Sequence, residues 1–438
     1  MSKSIAGFSK LSKKAKIEWI AQTFSQNPSD FVQEVESFWH SDQSLQQVID
    51  GFSENTLSNF VVPFGVAPNF LINGKEYCVP MVIEESSVVA AASSAAKYWQ
   101  TRGGFKTEIL GTKKIGQLHF SWAGDAAVLK GNFEKIKQLF LEETAHLTQN
   151  MQKRGGGILD MELLDMSDLE ADYFQIRVSF ETCDSMGANF INSVLEEMGH
   201  LLKAHIAQSP DFEGYTRDCN VIMAILSNFT PECVVRASVE CKVEDLADKN
   251  MTPNDALLLA EKFAKAVRIA EIDTYRATTH NKGIFNGIDA VVLATANDFR
   301  AIEACGHAYA ARNGHYSSLS HCEVKDGNFR FWLDIPLAVG TVGGLTKLHP
   351  LAKRSLEILG NPSAAELMQI IAATGLAQNF AAVRSLTTTG IQKGHMKMHL
   401  QNILSHFAAN EQEANAVFAY FEDKTVSFSA VRDFLKRG

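Results

Sequence analysis

Apolar residues change their spacing several times along the chain, and each change predicts an element. In the first fifty residues, Lys13 to Phe24 and Asp30 to Trp39 carry spaced apolar positions between polar ones, which predicts amphipathic helices. Tyr77 to Ile83 is an apolar, β-prone run. The Ala- and Ser-rich stretch from Ser86 to Trp99 predicts a helix opened by a serine cap. Between about residues 110 and 220 the pattern becomes β (Gln117–Trp122), α (Phe133–Lys153), β (Ile158–Leu164), β (Tyr173–Phe180), α (Gly187–Ile206) and β (Val221–Leu226). In the third of these strands Phe174, Ile176, Val178 and Phe180 alternate with polar residues. The order βαββαβ is that of a ferredoxin-like unit. Further on, two polar clusters flank the apolar run Ala290 to Ala294. The first, loosened by Gly283 and Gly287, reads as a Gly-rich turn that displays Lys282. The second, Asn297-Asp298, opens a helix over Phe299–Arg312. From about 386 the chain reads as a helical appendage behind the lead Thr387-Thr388-Thr389-Gly390.

Composition narrows the class. The 438 residues allow roughly three domains. Hydrophobic content of 46% and charged content of 21% are those of a soluble globular chain. A net charge of −9 argues against nucleic acid as a partner, so an anionic ligand has to be held by local donors. Seven scattered cysteines without a CxxC spacing predict reduced thiols and a cytoplasmic setting. No apolar run is long enough to span a bilayer or to serve as a signal peptide.

Candidate chemistry sits at a few short motifs. No GxGxxG follows a strand and no GxxxxGK[ST] occurs, so neither a Rossmann nor a P-loop site is expected. Asp184-Ser185-Met186-Gly187-Ala188-Asn189 falls where a strand turns into a helix, with small residues that let a ligand reach free N–H groups. Gly340-Thr-Val-Gly-Gly-Leu-Thr-Lys347 is a second Gly-rich turn. Read alone, Lys282 is a solvent-facing turn lysine, Glu84-Glu85 complement a helix dipole, and Thr295-Ala-Asn-Asp298 fits a capping box. His395 and His399 are four apart on a helix, but HExxH is absent and no third ligand follows, so no metal is expected.

Taken together these motifs resemble the 3-hydroxy-3-methylglutaryl-CoA reductase family, in its soluble bacterial form. The resemblance runs through Glu54-Asn55-Thr56-Leu57-Ser58, where the family has Gly in place of Ser58, through Glu84-Glu85, Asp184–Asn189, Leu226-Ser227-Asn228, Arg276–Glu303, Gly340–Thr346, Gly375–Asn379 and Gly394-His395-Met396. It implies an α/β (α+β) fold. A large mixed domain (1–109 and 221–385) would hold substrate and catalytic residues. A non-Rossmann ferredoxin-like insert (110–220) would hold the nicotinamide cofactor, and a helical C-terminal flap (386–438) would close on the site.

The implied activity is reduction of a thioester to a primary alcohol, giving mevalonate and CoA, with two hydrides from NAD(P)H. Carried over residue by residue, the catalytic set is Glu85, Lys282, Asp298 and His395. Lys282, expected to be buried, would stabilise the oxyanion. His395 would protonate the departing thiolate. Glu85 would donate the last proton, with its titration coupled to Asp298 and Lys282. Ser87, Asn228, Arg276, Asn286 and Gln378 would contact substrate, with Arg276 and Asn286 on its free carboxylate. Asp184, Ser185, Met186, Gly187, Ala188 and Asn189 would contact the cofactor. NAD-preferring relatives carry an Asp near the position of Thr148. Its absence here, with Lys153 and Arg154 close by, favours NADPH, with NADH possible. A homodimer or an assembly of dimers is implied, with no membrane. The alternatives are NAD-dependent oxidation of mevalonate by the same fold, a non-catalytic CoA- or nucleotide-binding relative, and an unrelated α/β binding protein.

Overall fold

The computed structural model describes residues 3–248 and 251–388 and, beyond residue 399, all but 402, 422, 423, 425, 437 and 438. His395 and His399, with the proposed hinge glycines Gly390 and Gly394, lie outside the described residues.

Helices α1 (Lys13–Phe24), α2 (Pro28–Ser37) and α3 (Gln43–Asp50) lead into the hairpin β1 (Phe64–Ile72) and β2 (Lys75–Val82). Helix α4 (Ser86–Gln100) follows, then β3 (Lys106–Ile109). The next strands and helices form a unit of their own: β4 (Lys114–Trp122), α5 (Ala126–Glu143), α6 (Ala145–Gln152), β5 (Gly157–Asp165), β6 (Tyr173–Glu181), α7 (Ala188–Gln208) and β7 (Cys219–Ser227). Its sheet runs β5-β6-β4-β7, antiparallel throughout, as the βαββαβ reading predicts. The alternation decides the faces. Leu118, Phe120 and Trp122 of β4 and Phe174, Ile176, Val178 and Phe180 of β6 turn inward. There they meet the apolar stripe Ile191, Val194, Leu195, Met198, Leu202 and Ile206 of α7. The helical stretch expected at Phe133–Lys153 begins earlier, at Ala126 under the cap of Asp125, and is broken at Thr144. There the Thr144 hydroxyl bonds back to the Phe140 carbonyl and competes with the backbone ladder.

The chain then returns to the larger unit. Strands β8 (Val234–Lys242), β9 (Ser320–Lys325) and β10 (Asn328–Pro336) join β3 in the order β3-β8-β10-β9. Around them lie α8 (Pro253–Ile272), α9 (Thr274–Ala294), α10 (Phe299–Ala310), α11 (Leu345–Leu348), α12 (Pro350–Ile358) and α13 (Ala364–Thr387). Capping boxes start α8 (Thr252 and Asp255) and α13 (Ser363 and Glu366). Helix α13 is apolar on nearly all sides and buried from Ile370 to Phe380, as a helix at the centre of a domain must be. Two short helices, α14 (Glu411–Tyr420) and α15 (Phe428–Leu435), share a small core of Leu400, Ile403, Leu404, Val417, Phe421 and Val431.

Residues 276–294 depart from the turn that their sequence predicts. Lys282 does not lie in a Gly-rich turn: α9 is one continuous 21-residue helix through Gly283 and Gly287. Glycine costs a helix interior about 1 kcal/mol. At Gly287 a close approach requires it, because a Cβ would sit 2.8 Å from the Thr374 carbonyl oxygen of α13 and 2.9 Å from Gln378 Cβ. Gly375 mirrors it across the crossing, where a Cβ would meet Ile288 at 2.8 Å. The buried side chains Ile284, Phe285, Ile288 and Val291 hold the helix in place where local propensity is weak.

Candidate active site

Two groups of candidate residues meet at opposite ends of α9 and its neighbours. Near the start, Glu85 is the N-cap of α4, so the expected serine cap is corrected to a glutamate that makes no capping hydrogen bond with its side chain. Freed from capping, the Glu85 carboxylate accepts the hydroxyl of Ser87 at Oε1, and its Oε2 lies 3.9 Å from the ammonium of Lys282. Asn286 stands one turn beyond Lys282 on the same face of α9. Gln378 lies against Gly287, buried, with its Oε1 unpartnered among the described residues. An acceptor left orphaned in a protein interior carries a free-energy cost, and a ligand donor would relieve it.

The expectation of a buried Lys282 is not met in the single chain: its side chain is 65% exposed and that of Glu85 41%. The face of α9 that carries Lys282 also carries Tyr275, two turns earlier and 89% exposed, whereas the opposite face makes the core contacts. Arg276 is half-buried, and burial pulls its guanidinium below the usual arginine range. His280 and Asn281 turn inward. Asn281 donates to the Ser317 carbonyl and accepts from Leu319 N–H. His280 shares a hydrogen bond with Ser320, whose hydroxyl donates to Asn379. Burial, with Arg276 and His321 nearby, pushes the His280 pKa down to about 3, so it stays neutral and structural.

At the far end of α9, Thr295 does not cap α10 as a capping box would require. Asp298 is itself the N-cap, accepting from Arg300 N at 3.1 Å and Ala301 N at 3.2 Å. Its cationic partner among the described residues is Arg300, at 3.2 Å, and no ion pair joins it to Lys282. Its neighbour Asn297 accepts from Gly340 N at 2.8 Å and so ties this corner to the loop 340–344.

That loop packs directly on the Asp184–Asn189 turn. A Cβ at Gly340 would sit 2.5 Å from Met186 N, and Thr341 N donates to the Asp184 carbonyl at 2.9 Å. The Asp184 carboxylate accepts from Ala364 N, the first residue of α13, at 2.7 Å. Asp184 thereby helps to hold the turn. Gly187, at φ 92°, caps α7 without a side-chain bond, so the N–H groups of a 21-residue helix remain open to an anion. Such an opening has the chemistry to hold a phosphate group, and only a glycine fits at 187, where a Cβ would sit 2.5 Å from Thr182 Cγ2.

Beside the turn, Arg154, Thr182, Cys183, Asp184, Ser185, Val342 and Lys347 line a cleft of about 710 Å³. On the other side a much narrower cleft joins Asn228 to Lys114, Met186, Ala301 and Cys305. Asn228 is exposed at the end of β7, and Thr148 is buried in α6.

The structure thus brings together Glu85, Ser87 and Lys282, with Asn286 and Gln378 close by on α9 and α13. It separately brings Asp298 and Asn297 to the loop 340–344 and the turn 184–189. The sequence did not single out Lys114 or Thr182 as parts of these clefts, whereas Lys347 closes the Gly-rich turn named above. Nor did it single out Asp289, which burial and Glu303 hold well above the usual carboxylate range. A lone lysine opening a strand and a threonine ending one carry no periodic or motif signal.

Over residues 13–400 the chain matches the model of the family described as hydroxymethylglutaryl-coenzyme A reductase. It is 37% identical, over all of its length and 95% of the relative's, to a 3-hydroxy-3-methylglutaryl-coenzyme A reductase of Archaeoglobus fulgidus. Its fold is similar to a Streptococcus pneumoniae 3-hydroxy-3-methylglutaryl-coenzyme A reductase, with TM-score 0.73, 35% identity and 99% of each chain covered. A class II structure from the same organism, bound to NADPH in open conformations, matches with TM-score 0.72 and 36% identity over 88% of this chain and all of that one. With its full length matched in sequence and in fold, the chain belongs to the hydroxymethylglutaryl-coenzyme A reductase family.

Proposed function

We propose that the chain reduces (S)-3-hydroxy-3-methylglutaryl-CoA to mevalonate and CoA with two equivalents of NADPH. The observation that carries the mechanism is the Lys282–Glu85 approach at 3.9 Å, with Ser87 bound to the same carboxylate. The nicotinamide cofactor supplies hydride. The residues manage charge and protons around it. Lys282 places a cation where negative charge develops on the carbonyl oxygen. Glu85, next to it, is positioned to give a proton to the alkoxide of the second reduction. Asp298 fixes the start of α10 and, through Asn297, the loop against the cofactor turn. His395 is assigned the protonation of the CoA thiolate. Arg276, Asn286, Asn228 and Gln378 are assigned to the acyl-CoA.

The coenzyme assignment rests on Arg154 and Lys347. Both are exposed cations without an ion-pair partner among the described residues, and they line one cleft beside the open end of α7. A 2′-phosphate offers the dianion that such a pair recognises. Absorbance at the nicotinamide band with 3-hydroxy-3-methylglutaryl-CoA tests both parts. NADPH is expected to exceed NADH in kcat/KM, and Arg154→Ala should lower the NADPH value about tenfold while leaving NADH within twofold. Failure to oxidise either coenzyme would remove the function, and equal losses for both would remove the 2′-phosphate assignment.

We further propose that the working form is a cytoplasmic homodimer or an assembly of dimers. Tyr275 shares with Lys282 a face of α9 that the single chain leaves open, and Phe60 and Val61 are 95% and 69% exposed. Among the described residues no helix is long and apolar enough to cross a membrane. Sedimentation is expected to give at least twice the 48.2 kDa of one chain, and Tyr275→Asp should lower both mass and activity. A fully active monomer would refute the dimer.

A further inference from the structure

The turn that receives the cofactor is held from beneath by a buried cation. Lys114 opens β4 and is 5% exposed. Its ammonium donates to the hydroxyl of Thr182 and, at 2.7 Å, to the carbonyl of Ser185. The Thr182 hydroxyl in turn donates to the same Ser185 carbonyl at 2.6 Å. Thr182, fully buried, lies against Gly187, so this triangle adjoins the residue that opens α7. Register adds a second connection. Ile115 pairs with Ser227, so Lys114 and Asn228 flank that pair at the same end of the sheet, and both line the narrower cleft with Met186.

We infer that Lys114 is a positioning residue for cofactor binding. Its ammonium locks Thr182 and Ser185 so that the N–H groups at the start of α7 are preset for the cofactor phosphates. A buried ammonium needs acceptors, and the two it has both belong to the turn, so turn geometry and lysine charge stabilise each other. The same cation places positive charge behind the helix end that receives the anion. A neutral side chain would leave the Ser185 carbonyl with the Thr182 hydroxyl alone and let the turn relax.

The groups facing the ammonium are Glu181 of β6, Cys183 and Asp184 of the turn, and Cys233 before β8. Burial depresses the lysine below the usual range, against the pull of these groups. Burial raises Cys183 above its usual value and pushes Cys233 up to about 12. Rising pH should therefore deprotonate Lys114 earlier than an ordinary lysine and weaken cofactor binding on the alkaline side.

This inference rests on the assignment of the 184–189 turn to the nicotinamide cofactor. The test is NADPH binding to the full-length protein, followed by the fluorescence of the bound nicotinamide between pH 7 and 10. For Lys114→Met the dissociation constant should rise at least tenfold at pH 7.5, with the KM for 3-hydroxy-3-methylglutaryl-CoA within twofold. Its alkaline weakening should disappear. Thr182→Val, which keeps bulk and removes the hydroxyl, should raise the constant in the same direction and supplies the answer if Lys114→Met does not fold. Unchanged NADPH binding in either folded variant overturns the inference, as does an equal rise in both constants. No NADPH binding by the parent protein would instead overturn the cofactor assignment itself.

Discussion

Lys282→Ala is expected to abolish turnover with both 3-hydroxy-3-methylglutaryl-CoA and free mevaldehyde. Each reduction develops negative charge on one oxygen, and the proposed role gives the same ammonium to both. Loss of a single donor to such an oxyanion costs about 10²–10³ in rate, and a full cation in a closed site should cost more, so a drop of at least about 10³ in kcat is expected for each substrate. Stability should not follow. The Lys282–Glu85 pair is largely exposed in the single chain and 3.9 Å apart, a contact worth no more than about 1 kcal/mol. Steady-state kcat for the two substrates, with circular dichroism of the variant, checks this. If mevaldehyde reduction survived within tenfold, Lys282 would act in one half-reaction only, and the shared-oxyanion role would be lost.

His395→Gln should divide the two substrates instead. Collapse of the hemithioacetal releases a thiolate that re-adds to the aldehyde unless it is protonated. An imidazole with its ordinary value near 6.5 is matched to that proton transfer, whose assistance is worth about 10²–10⁴ in rate. The overall reaction should therefore fall by about 10² or more. Reduction of free mevaldehyde, where no thiolate leaves, should stay close to that of the parent. Equal losses on the two substrates would place His395 in hydride transfer or substrate binding rather than at the thiolate.

The Lys282 result depends on a geometry that the sequence describes poorly. Gly283 and Gly287 in a polar stretch carry the local signal of a turn. Position 287 requires glycine because α13 crosses α9 so closely that a methyl group there would meet a backbone carbonyl, whereas Gly283 has open space around it. Local propensity, about 1 kcal/mol per glycine, lost to the burial of Ile284, Phe285, Ile288 and Val291. At Asp298 the expected start of α10 holds, but the capping-box role of Thr295 does not. Thr295-x-x-Asp298 has the spacing of a capping box, yet the chain enters α10 at Asp298, after Ala296 takes φ 54°. A one-turn choice of start depends on how the corner packs, here through Asn297 on Gly340.

Other parts were legible because their signal is local. Alternation in β6 and the helical stripe of α7 specify the ferredoxin-like unit, since period two and period 3.6 each fix which side chains meet the core. The Asp184–Asn189 motif announces a strand-to-helix turn with small residues, and that is what the chain builds.

By itself, then, the sequence determined the βαββαβ order of residues 110–220, several flanking helices, the residue types of the site and, through its motifs, the family. Tertiary structure alone decided that Lys282 stands on a continuous helix 3.9 Å from Glu85, that Asp184 accepts from Ala364, and that Lys114 lies beneath the 184–189 turn. The reason is the range of the forces. Side-chain periodicity acts within a few residues, whereas each of these contacts joins positions 71 or more apart, which only the packing of separate elements brings within hydrogen-bonding or ion-pairing distance.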